Sequence, residues 1–348
     1  MGEFDARDPA RRATLADVAA RAGVSAATAS RSLRGVAKVS DDTRQRVRDA
    51  ARELSYVSAL EAAQTEGRRT VAVIVPFITR WFFNTATGSA VDYLRAAGYD
   101  AILYHLGSPE IRDQFFQQMP LAGRVDGILS LSMPLTEEHT LSLRALGLPL
   151  VSIGSAIPGS PSVGIDEVGT ARAAVDHLLN LGHTRIGFIA GRPDDTRFDF
   201  SPSRSRKAGY EQALSAAGIE FSESLMVDGP HGISGGAAAM TELLSRPNLP
   251  TAVFAELDEL AIGVLTALRR AGLRVPADMS VIGIDNHEMA AVMDLSTMAQ
   301  DVEEQGRVAA RMLLQLLGAE DGTPAREPVR LPTRLVVRGT TAPPQTRS

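Results

Sequence analysis

Cysteine is absent from this 348-residue chain, which also has only six histidines and one tryptophan. Without a thiol the protein cannot form disulfides, use a cysteine nucleophile or build a cysteine-ligated zinc site. Six scattered histidines leave little for another metal centre, so we expect no metal ion and no cofactor. No apolar run approaches the roughly 20 residues that cross a bilayer. The first residues also lack the apolar core of a signal peptide, so a cytoplasmic protein without a membrane partner is expected.

The net charge of −5 is unevenly distributed along the chain. Residues 1–69 carry 13 lysines and arginines against 10 acidic residues, a net of +3, so the remainder carries −8. A basic N-terminal segment on an acidic protein indicates that this segment faces a polyanion and the rest does not.

Residues 14–57 show three short helical patterns with a capping residue before each. Thr14 precedes "LADVAARA" and Ser25 precedes "AATASRSL", while Gly23 separates these two patterns. The cap of the third pattern is Ser40 or Asp42. Helix, glycine turn and helix is the helix-turn-helix arrangement, whose second helix enters the major groove of DNA. A short alanine-rich helix packed inside a globular domain is the alternative.

From residue 70 to residue 339 the pattern changes to apolar runs of strand length that alternate with amphipathic helices. Runs such as "VAVIVP", "RIGFIAG" and "SVIGID" are apolar on both faces, which is typical of parallel strands covered by helices on both sides. A segment of this length is too long for a single sheet, so we expect two lobes. A cleft would lie between them at the carboxyl ends of the strands. Residues 1–13 are predicted to be disordered, and residues 340–348 form a tail.

"TLADVAARAGVSAATASRSLRG" resembles the DNA-binding segment of the LacI/GalR (lactose-repressor) family of transcriptional regulators. "DEVGTARAAVDHLLNLGHTRIGFIAG" and "ELDELAIGVLTALRRAGLRVPADMSVIGID" resemble blocks of that family's core, which is similar to periplasmic sugar-binding proteins. The resemblance therefore implies an N-terminal all-α helix-turn-helix headpiece and an α/β two-lobed core with parallel sheets. It also implies a homodimer, with a tetramer left open, that binds palindromic operator DNA. A small sugar-like effector in the cleft would control that binding, and induction of a repressor is expected.

The resemblance also assigns residues to the DNA surface. Those expected nearest the bases are Ala26, Ala27 and Arg31, and a thymine methyl could contact the alanines. The other residues expected to face DNA or its phosphates are Thr14, Ser25, Thr28, Ser30, Arg34, Lys38, Ser40, Thr43, Tyr56 and Ala62.

The linker over residues 58–69 departs from the family pattern. Ser58 and Ala59 replace a proline and an asparagine, Ala63 replaces an arginine, and Thr65 replaces the leucine that wedges into the minor groove. Threonine is a poor apolar wedge, so we expect this linker to kink DNA weakly.

Family ligand contacts carry over to the core only in part. Arg206 and Asp285 match an arginine and an aspartate that bind ligand hydroxyls or carboxylates, and Asp258 keeps the acid of an Asn-Asp pair whose asparagine is Leu257 here. Gly154 replaces a further acid. The aromatic residues expected beside the cleft are Phe77, Trp81 and Phe82, with a hydrophobic plug as the alternative for Trp81. A less polar pocket of this kind favours a disaccharide or a glycoside.

Two other classes of protein compete with a regulator. A sugar-binding protein without DNA function would share the core but would not need the basic headpiece. An enzyme would need a nucleophile with its base, a metal cluster or a phosphate loop, and the sequence indicates no catalytic residue. "GISGG" at residues 232–236 fits the hydrolase pattern G-x-S-x-G, but we expect its serine to cap a helix.

Overall fold

The computed structural model describes residues 14–33, 40–54, 69–133, 135–192, 201–323 and 327–345. The predictions for residues 1–13 and for the linker at residues 58–68 lie outside these ranges. By its internal contacts the chain divides into two compact units, residues 1–69 and residues 70–348.

The first unit contains the three helices that the capping residues predict. Helix α1 spans Leu15–Ala22, α2 spans Ala26–Leu33 and α3 spans Asp41–Glu53. Thr14 caps α1 in a reciprocal pair with Asp17, and Gly23 ends it in the left-handed conformation with φ 66°. The three helices share one small apolar core, whose buried members are Val18, Ala19, Ala22, Ala29, Val47, Ala50 and Ala51.

The second unit alternates strands and helices. Its first elements are β1 Thr70–Val75, α4 Trp81–Ala96, β2 Asp100–His105, α5 Pro109–Gln118, β3 Gly127–Leu131, α6 Glu137–Ala145, β4 Leu150–Ile153 and β5 Ser162–Gly164. Next come α7 Glu167–Asn180, β6 Ile186–Arg192, α8 Ser201–Ala216, β7 Met226–Pro230, α9 Ile233–Leu244, β8 Ala252–Ala255, α10 Asp258–Arg270 and β9 Ser280–Asp285. The last are α11 Glu288–Val292, β10 Ser296–Ala299, α12 Val302–Leu316, β11 Val329–Arg330 and β12 Arg334–Val336.

The strands form two six-stranded sheets, which define two lobes. Lobe 1 has the strand order β11-β5-β4-β3-β1-β2 and lobe 2 has the order β12-β10-β9-β8-β6-β7. All neighbouring strands are parallel except β10 and β12, which pair antiparallel at one edge of lobe 2. The predicted two-lobed α/β core with parallel sheets is thus confirmed, with this one antiparallel strand added.

Continuous apolar runs in the sequence reflect burial of each sheet on both faces. In β1, Val71, Val73 and Val75 pack into one core with α4 and α12, while Ala72 and Ile74 pack into another core on the opposite face. Because successive side chains of a strand alternate between faces, both must be apolar when both are covered.

Two local features qualify this pattern. Strand β2 lies at the edge of its sheet, so Ile102 and Leu103 are 38% and 47% exposed. Helix α8 begins at Ser201 and continues through Arg206. A helix at this point holds Arg206 on a rigid element rather than on a loop.

The backbone passes between the lobes three times: after β5, after β10, and between β11 and β12. The first two crossings leave from carboxyl ends of strands, so these ends are brought to the gap between the lobes. Within the described ranges, no helix is both long enough and apolar enough to cross a membrane.

Candidate functional site

Helix α2 presents a surface of small side chains and one arginine. Ser25, Ala26, Ala27 and Arg31 are exposed, whereas Ala29 is fully buried in the core of the three helices. The buried and exposed residues lie on opposite faces because they follow the 3.6-residue helical period. The small side chains of the exposed face let a binding partner come close to the helix backbone, and the arginine adds one long cationic group. Both are properties that a recognition helix requires.

Hydroxyl side chains occupy the N-termini of the three helices described in the first unit. The Thr28 backbone N–H donates to Ser25 Oγ at 3.2 Å, and the Thr43 N–H donates to Ser40 Oγ at 3.4 Å. Helix N-termini attract phosphate because their first N–H groups lack helical partners. Thr14 lies at a third such terminus, and Thr28 and Ser30 are half-buried on α2. The residues predicted for DNA that lie outside the described ranges are Arg34, Lys38, Tyr56 and Ala62.

A cavity of about 60 Å³ lies between the lobes. Its wall in lobe 1 comes from the start of α4 and from Ser132, which directly follows β3. Its wall in lobe 2 comes from strand ends and from the first residues of α7, α8 and α10. The residues that line it are Arg80, Phe82, Phe83, Ser132, Glu167, Pro202, Ser203, Arg206, His231, Glu256, Leu257, Glu259, Asp285 and Gln300.

Arg206 is the central cation of this wall and is only 4% exposed. Its Nε donates to Glu167 Oε2 at 2.7 Å, and its Nη1 donates to the backbone oxygen of Glu256 at 2.6 Å. Burial alone would lower the pKa of Arg206, but the nearby carboxyl groups of Glu167, Asp285 and Glu256 outweigh burial and raise it. The guanidinium is therefore permanently charged and held in place by ionic hydrogen bonds.

Glu256 follows β8 and is 1% exposed. Its Oε1 accepts hydrogen bonds from the Gly191 N–H at 2.8 Å and from Ser203 Oγ at 3.0 Å. Burial raises the pKa of Glu256 to about 7, although Arg206 and these two hydrogen bonds act in the opposite direction. A carboxyl group that titrates near neutrality thus faces the cavity.

Asp285 ends β9 beside Arg206 and has a backbone φ of 131°, a strained value for a non-glycine residue. Its Oδ1 accepts from Gln300 Nε2 at 2.6 Å, and Gln300 Oε1 accepts from Gln305 Nε2 at 2.7 Å. Burial raises the pKa of Asp285 well above its usual value, while Arg206 opposes this effect. Two glutamines therefore fix the orientation of a buried acid that the strained backbone directs toward the cavity.

Aromatic rings form the opposite wall in lobe 1. Phe82 and Phe83 pack edge to face with ring centroids 5.3 Å apart, and the Arg80 guanidinium lies 3.6 Å from the centre of the Phe77 ring. Phe77 in turn lies 6.3 Å from His231 of lobe 2. Burial, aided by Arg80, lowers the pKa of His231 to about 3, so this ring is neutral at physiological pH.

Three of the six predicted ligand residues line the cavity, namely Phe82, Arg206 and Asp285. Phe77 lies behind the wall, in contact with Phe83 and Arg80. Trp81 faces a separate groove at the lobe crossings, and its ring lies 5.2 Å from that of His287 in lobe 2.

The structure places Asp258 outside the cavity wall, contrary to expectation. It is fully buried, and its Oδ1 accepts from Thr297 Oγ1 at 2.8 Å while its Oδ2 accepts from the His287 N–H at 2.9 Å. Asp258 therefore fastens the segment that follows β9.

Local packing explains the acid that is missing at Gly154. This glycine has a φ of 78°, and a Cβ atom added to it would collide with Ser132 Oγ. Ser132 itself donates from Oγ to the backbone oxygen of Ile153 at 3.3 Å. An aspartate cannot occupy this position without moving the Ser132 wall.

Several cavity residues carry no motif that sequence reasoning recognised. Glu256, His231 and Gln300 each directly follow a strand of lobe 2, so the rule that ligands bind at strand carboxyl ends could have found them. Glu167 and Ser203 lie at helix starts, and only the fold brings them to Arg206 and Glu256.

The G-x-S-x-G stretch has a packing role. The cap of α9 is Gly232, not the expected serine, and Ser234 is exposed within the first turn. A Cβ atom on Gly235 would collide with the backbone of Pro230, and one on Gly236 with that of Leu260. These glycines therefore permit close approach of α9 to β7 and α10.

Two family models match this chain. Residues 14–58 match the model described as bacterial regulatory proteins, lacI family, and residues 175–341 match the periplasmic binding protein-like domain. The first match covers the helices with the exposed small-residue surface, and the second covers most of lobe 2.

Curated relatives match over nearly the whole chain. The HTH-type transcriptional repressor CytR of Escherichia coli (strain K12) is 34% identical over 336 residues, which cover 94% of this chain and 96% of the relative. The HTH-type transcriptional regulator CelR of Thermobifida fusca is 35% identical over 343 residues, covering 94% and 98%.

Solved structures with the same fold include complexes. A transcriptional regulator CelR–cellobiose complex is 32% identical with a TM-score of 0.68, covering 95% of this chain and 100% of that one. The Lac repressor dimer bound to operator and the anti-inducer ONPF is 27% identical with a TM-score of 0.70, again covering 95% and 100%.

Proposed function

This chain belongs to the LacI family of bacterial regulatory proteins, and from that premise we propose that it is a repressor released from its operator by a sugar or glycoside. Regulation of transcription through DNA binding follows from the family itself. The ligand and the direction of its effect are our proposal. The observation that carries it is the interlobe cavity, where strand ends, two arginines and four carboxyl groups converge.

For the DNA side, we assign base readout mainly to Arg31. Its Nε donates to the backbone oxygen of Ala27 at 3.1 Å, which directs the side chain along the exposed face of α2. Ala26 and Ala27 cannot donate hydrogen bonds but can contact thymine methyl groups. Thr14, Ser25, Thr28, Ser30, Ser40 and Thr43 are assigned to phosphates at or near the helix N-termini.

For the ligand side, the size of the cavity implies movement. A space of about 60 Å³ accommodates a few water molecules, whereas sites for small organic ligands usually measure about 300–1,000 Å³. A sugar can therefore enter only if the lobes separate or the wall rearranges. The contacts of Phe77 with His231 and of Trp81 with His287 join the two lobes and would have to change.

Such coupling provides a mechanism for regulation. A ligand that binds one lobe arrangement better than another shifts the population toward that arrangement. In a homodimer, a change in lobe angle alters the spacing of the two headpieces and hence their fit to a palindromic site. By linkage, bound operator weakens ligand binding by the same factor by which bound ligand weakens operator binding.

We further propose that the protein acts in the cytoplasm, where operator DNA is found, and that it is not an enzyme. The cavity wall consists of residues suited to hold a polyol, with Arg206 and Asp285 as its proposed direct contacts. Exposed apolar side chains, including Ile78, Ile102 and Leu103 of lobe 1, are available to a dimer interface.

A gel-shift titration of the full-length protein tests the proposal. The DNA is the region upstream of the protein's own gene, at low salt, with and without cellobiose and other sugars. We expect a specific shift that a sugar abolishes at a fixed protein concentration. Absence of a shift on every palindromic site at low salt would refute the regulator, and a shift that no sugar alters would refute the sugar-induced repressor.

A further inference from the structure

Glu256 leaves one buried polar atom without a partner beside the cavity. Its Oε1 accepts from Gly191 and Ser203, whereas its Oε2 has no hydrogen-bond partner among the described residues. A buried acceptor without a partner destabilises the folded protein because it loses its water without gaining a hydrogen bond. This atom belongs to a residue that lines the ligand cavity, so a ligand can supply the missing donor.

Most polar donors of the surrounding wall are already engaged. Gln300 donates to Asp285, Ser203 donates to Glu256, and Ser132 donates to Ile153. Arg206 donates to Glu167 and to the Glu256 backbone. None of these donors reaches Glu256 Oε2, so a complementary ligand must supply a donor at this point of the wall.

Charge narrows the choice of donor. Four carboxyl groups line the cavity, those of Glu167, Glu256, Glu259 and Asp285, against the guanidinium groups of Arg80 and Arg206. Three of the four acids lie close enough to Arg206 to raise its pKa, so these acids of lobe 2 share one cation, and burial raises the pKa of Glu256 and Asp285. A phosphate or carboxylate on the ligand would further disfavour the ionised forms of these acids, whereas an ammonium group would favour them.

We infer that the effector carries an amino group that donates to Glu256 Oε2, so that it is an amine-bearing sugar or related polyol and not a phosphorylated or carboxylated one. This inference rests on the proposed ligand site between the lobes. A hydroxyl group would satisfy the hydrogen bond but would not stabilise the ionised carboxylate. An ammonium group does both, and charge-assisted hydrogen bonds are the stronger kind.

Glu256→Gln separates this role from a structural one. Glutamine keeps an oxygen for the Gly191 and Ser203 bonds but replaces the acceptor at Oε2 with an NH₂ donor. Glu220→Gln is the matched control, because it makes the same chemical change on an exposed side chain. Both variants would be made in the full-length protein.

Isothermal titration calorimetry with matched probes tests the inference. The probes are D-glucose, D-glucosamine and D-glucose 6-phosphate, with cellobiose and its diamino counterpart, the glucosamine disaccharide, as the larger pair. We expect the amine of the better-fitting pair to bind wild type about tenfold more tightly than its hydroxyl counterpart, as a charged hydrogen bond provides. The phosphate should not bind. Glu256→Gln should reduce the preference to about twofold or less, and Glu220→Gln should retain it.

Equal binding of amine and hydroxyl probes, preference for the phosphate, or an amine preference that survives in Glu256→Gln would each overturn the inference. Failure of every probe to bind wild type would overturn it as well. If Glu256→Gln does not fold, the wild-type probe series alone still decides the ligand class. Because calorimetry needs no DNA, these outcomes are separate from the gel shift, which alone tests sugar-controlled operator binding.

Discussion

Replacing Glu256 by glutamine should make the protein progressively more stable relative to wild type as the pH rises from acidic to alkaline. Burial raises the pKa of Glu256 from 4.5 to about 7 in the folded state. Below pH 4.5 the carboxyl is protonated in both the folded and the unfolded chain, so it has no effect on stability. As the pH rises toward 7, the unfolded chain ionises first, and the wild type progressively loses stability.

The magnitude follows from the size of the shift. A rise in the pKa from 4.5 to about 7 corresponds to about 3 kcal/mol, most of which develops between pH 5 and pH 8. Glutamine does not titrate, so the free energy of unfolding of Glu256→Gln does not fall in this way as the pH rises. The unpaired amide of the variant lowers its free energy of unfolding by about 1–3 kcal/mol at any pH. This loss is the same at both pH values, so it cancels when they are compared.

Thermal unfolding at pH 5, 6, 7 and 8 measures this effect for wild type, Glu256→Gln and Glu220→Gln. The melting temperature of Glu256→Gln relative to wild type should rise by roughly 5–10 °C from pH 5 to pH 8, at roughly 2–4 °C per kcal/mol. The Glu220→Gln control should show no such trend. A difference between Glu256→Gln and wild type that is flat with pH, or that falls, would refute the assignment of a buried, near-neutral carboxyl to this wall.

Arg31→Ala should weaken operator binding by roughly 1–3 kcal/mol in a fluorescence anisotropy titration, and equal binding by this variant and the exposed control Arg270→Ala would contradict base readout by Arg31. Asp285→Asn should reduce ligand affinity about tenfold or more in calorimetry without changing the gel shift; loss of DNA binding at unchanged melting temperature would contradict separate sites. Ligand binding should shift the emission of Trp81, the only tryptophan, because its ring lies 5.2 Å from His287 of the other lobe. Unchanged emission at saturation would argue against lobe movement at that contact.

The architecture was predictable because its determinants are local. Capping by Thr14, the left-handed turn at Gly23 and the helical spacing of Val18 and Val47 depend on residues a few positions apart. The doubly apolar runs likewise indicate strands with two covered faces. Position within a sheet is not a local property, so the exposure of Ile102 at the sheet edge does not follow from its apolar sequence.

The cavity wall was predictable only where a motif marked it. Arg206 and Asp285 follow recognisable patterns, but Glu256 acquires its role from contacts with residues 53 and 65 positions away, Ser203 and Gly191. Asp258 is the opposite case, because a motif marks it but it lies outside the cavity wall. The absence of a side chain on Gly283 leaves room for its carboxylate, since a Cβ there would collide with Asp258 Oδ1. The acid of the family motif is therefore buried away from the cavity, and the sequence alone does not specify that direction.

The central claim, that a ligand between the lobes controls operator affinity, is tested most directly by measuring both affinities as one thermodynamic cycle. The operator Kd would be determined with and without saturating ligand, and the ligand Kd with and without saturating operator, for the same full-length protein. If the ligand and the operator favour different lobe arrangements, both Kd values rise by the same factor, roughly 5- to 150-fold for typical coupling free energies. An operator that leaves the ligand Kd unchanged would contradict it.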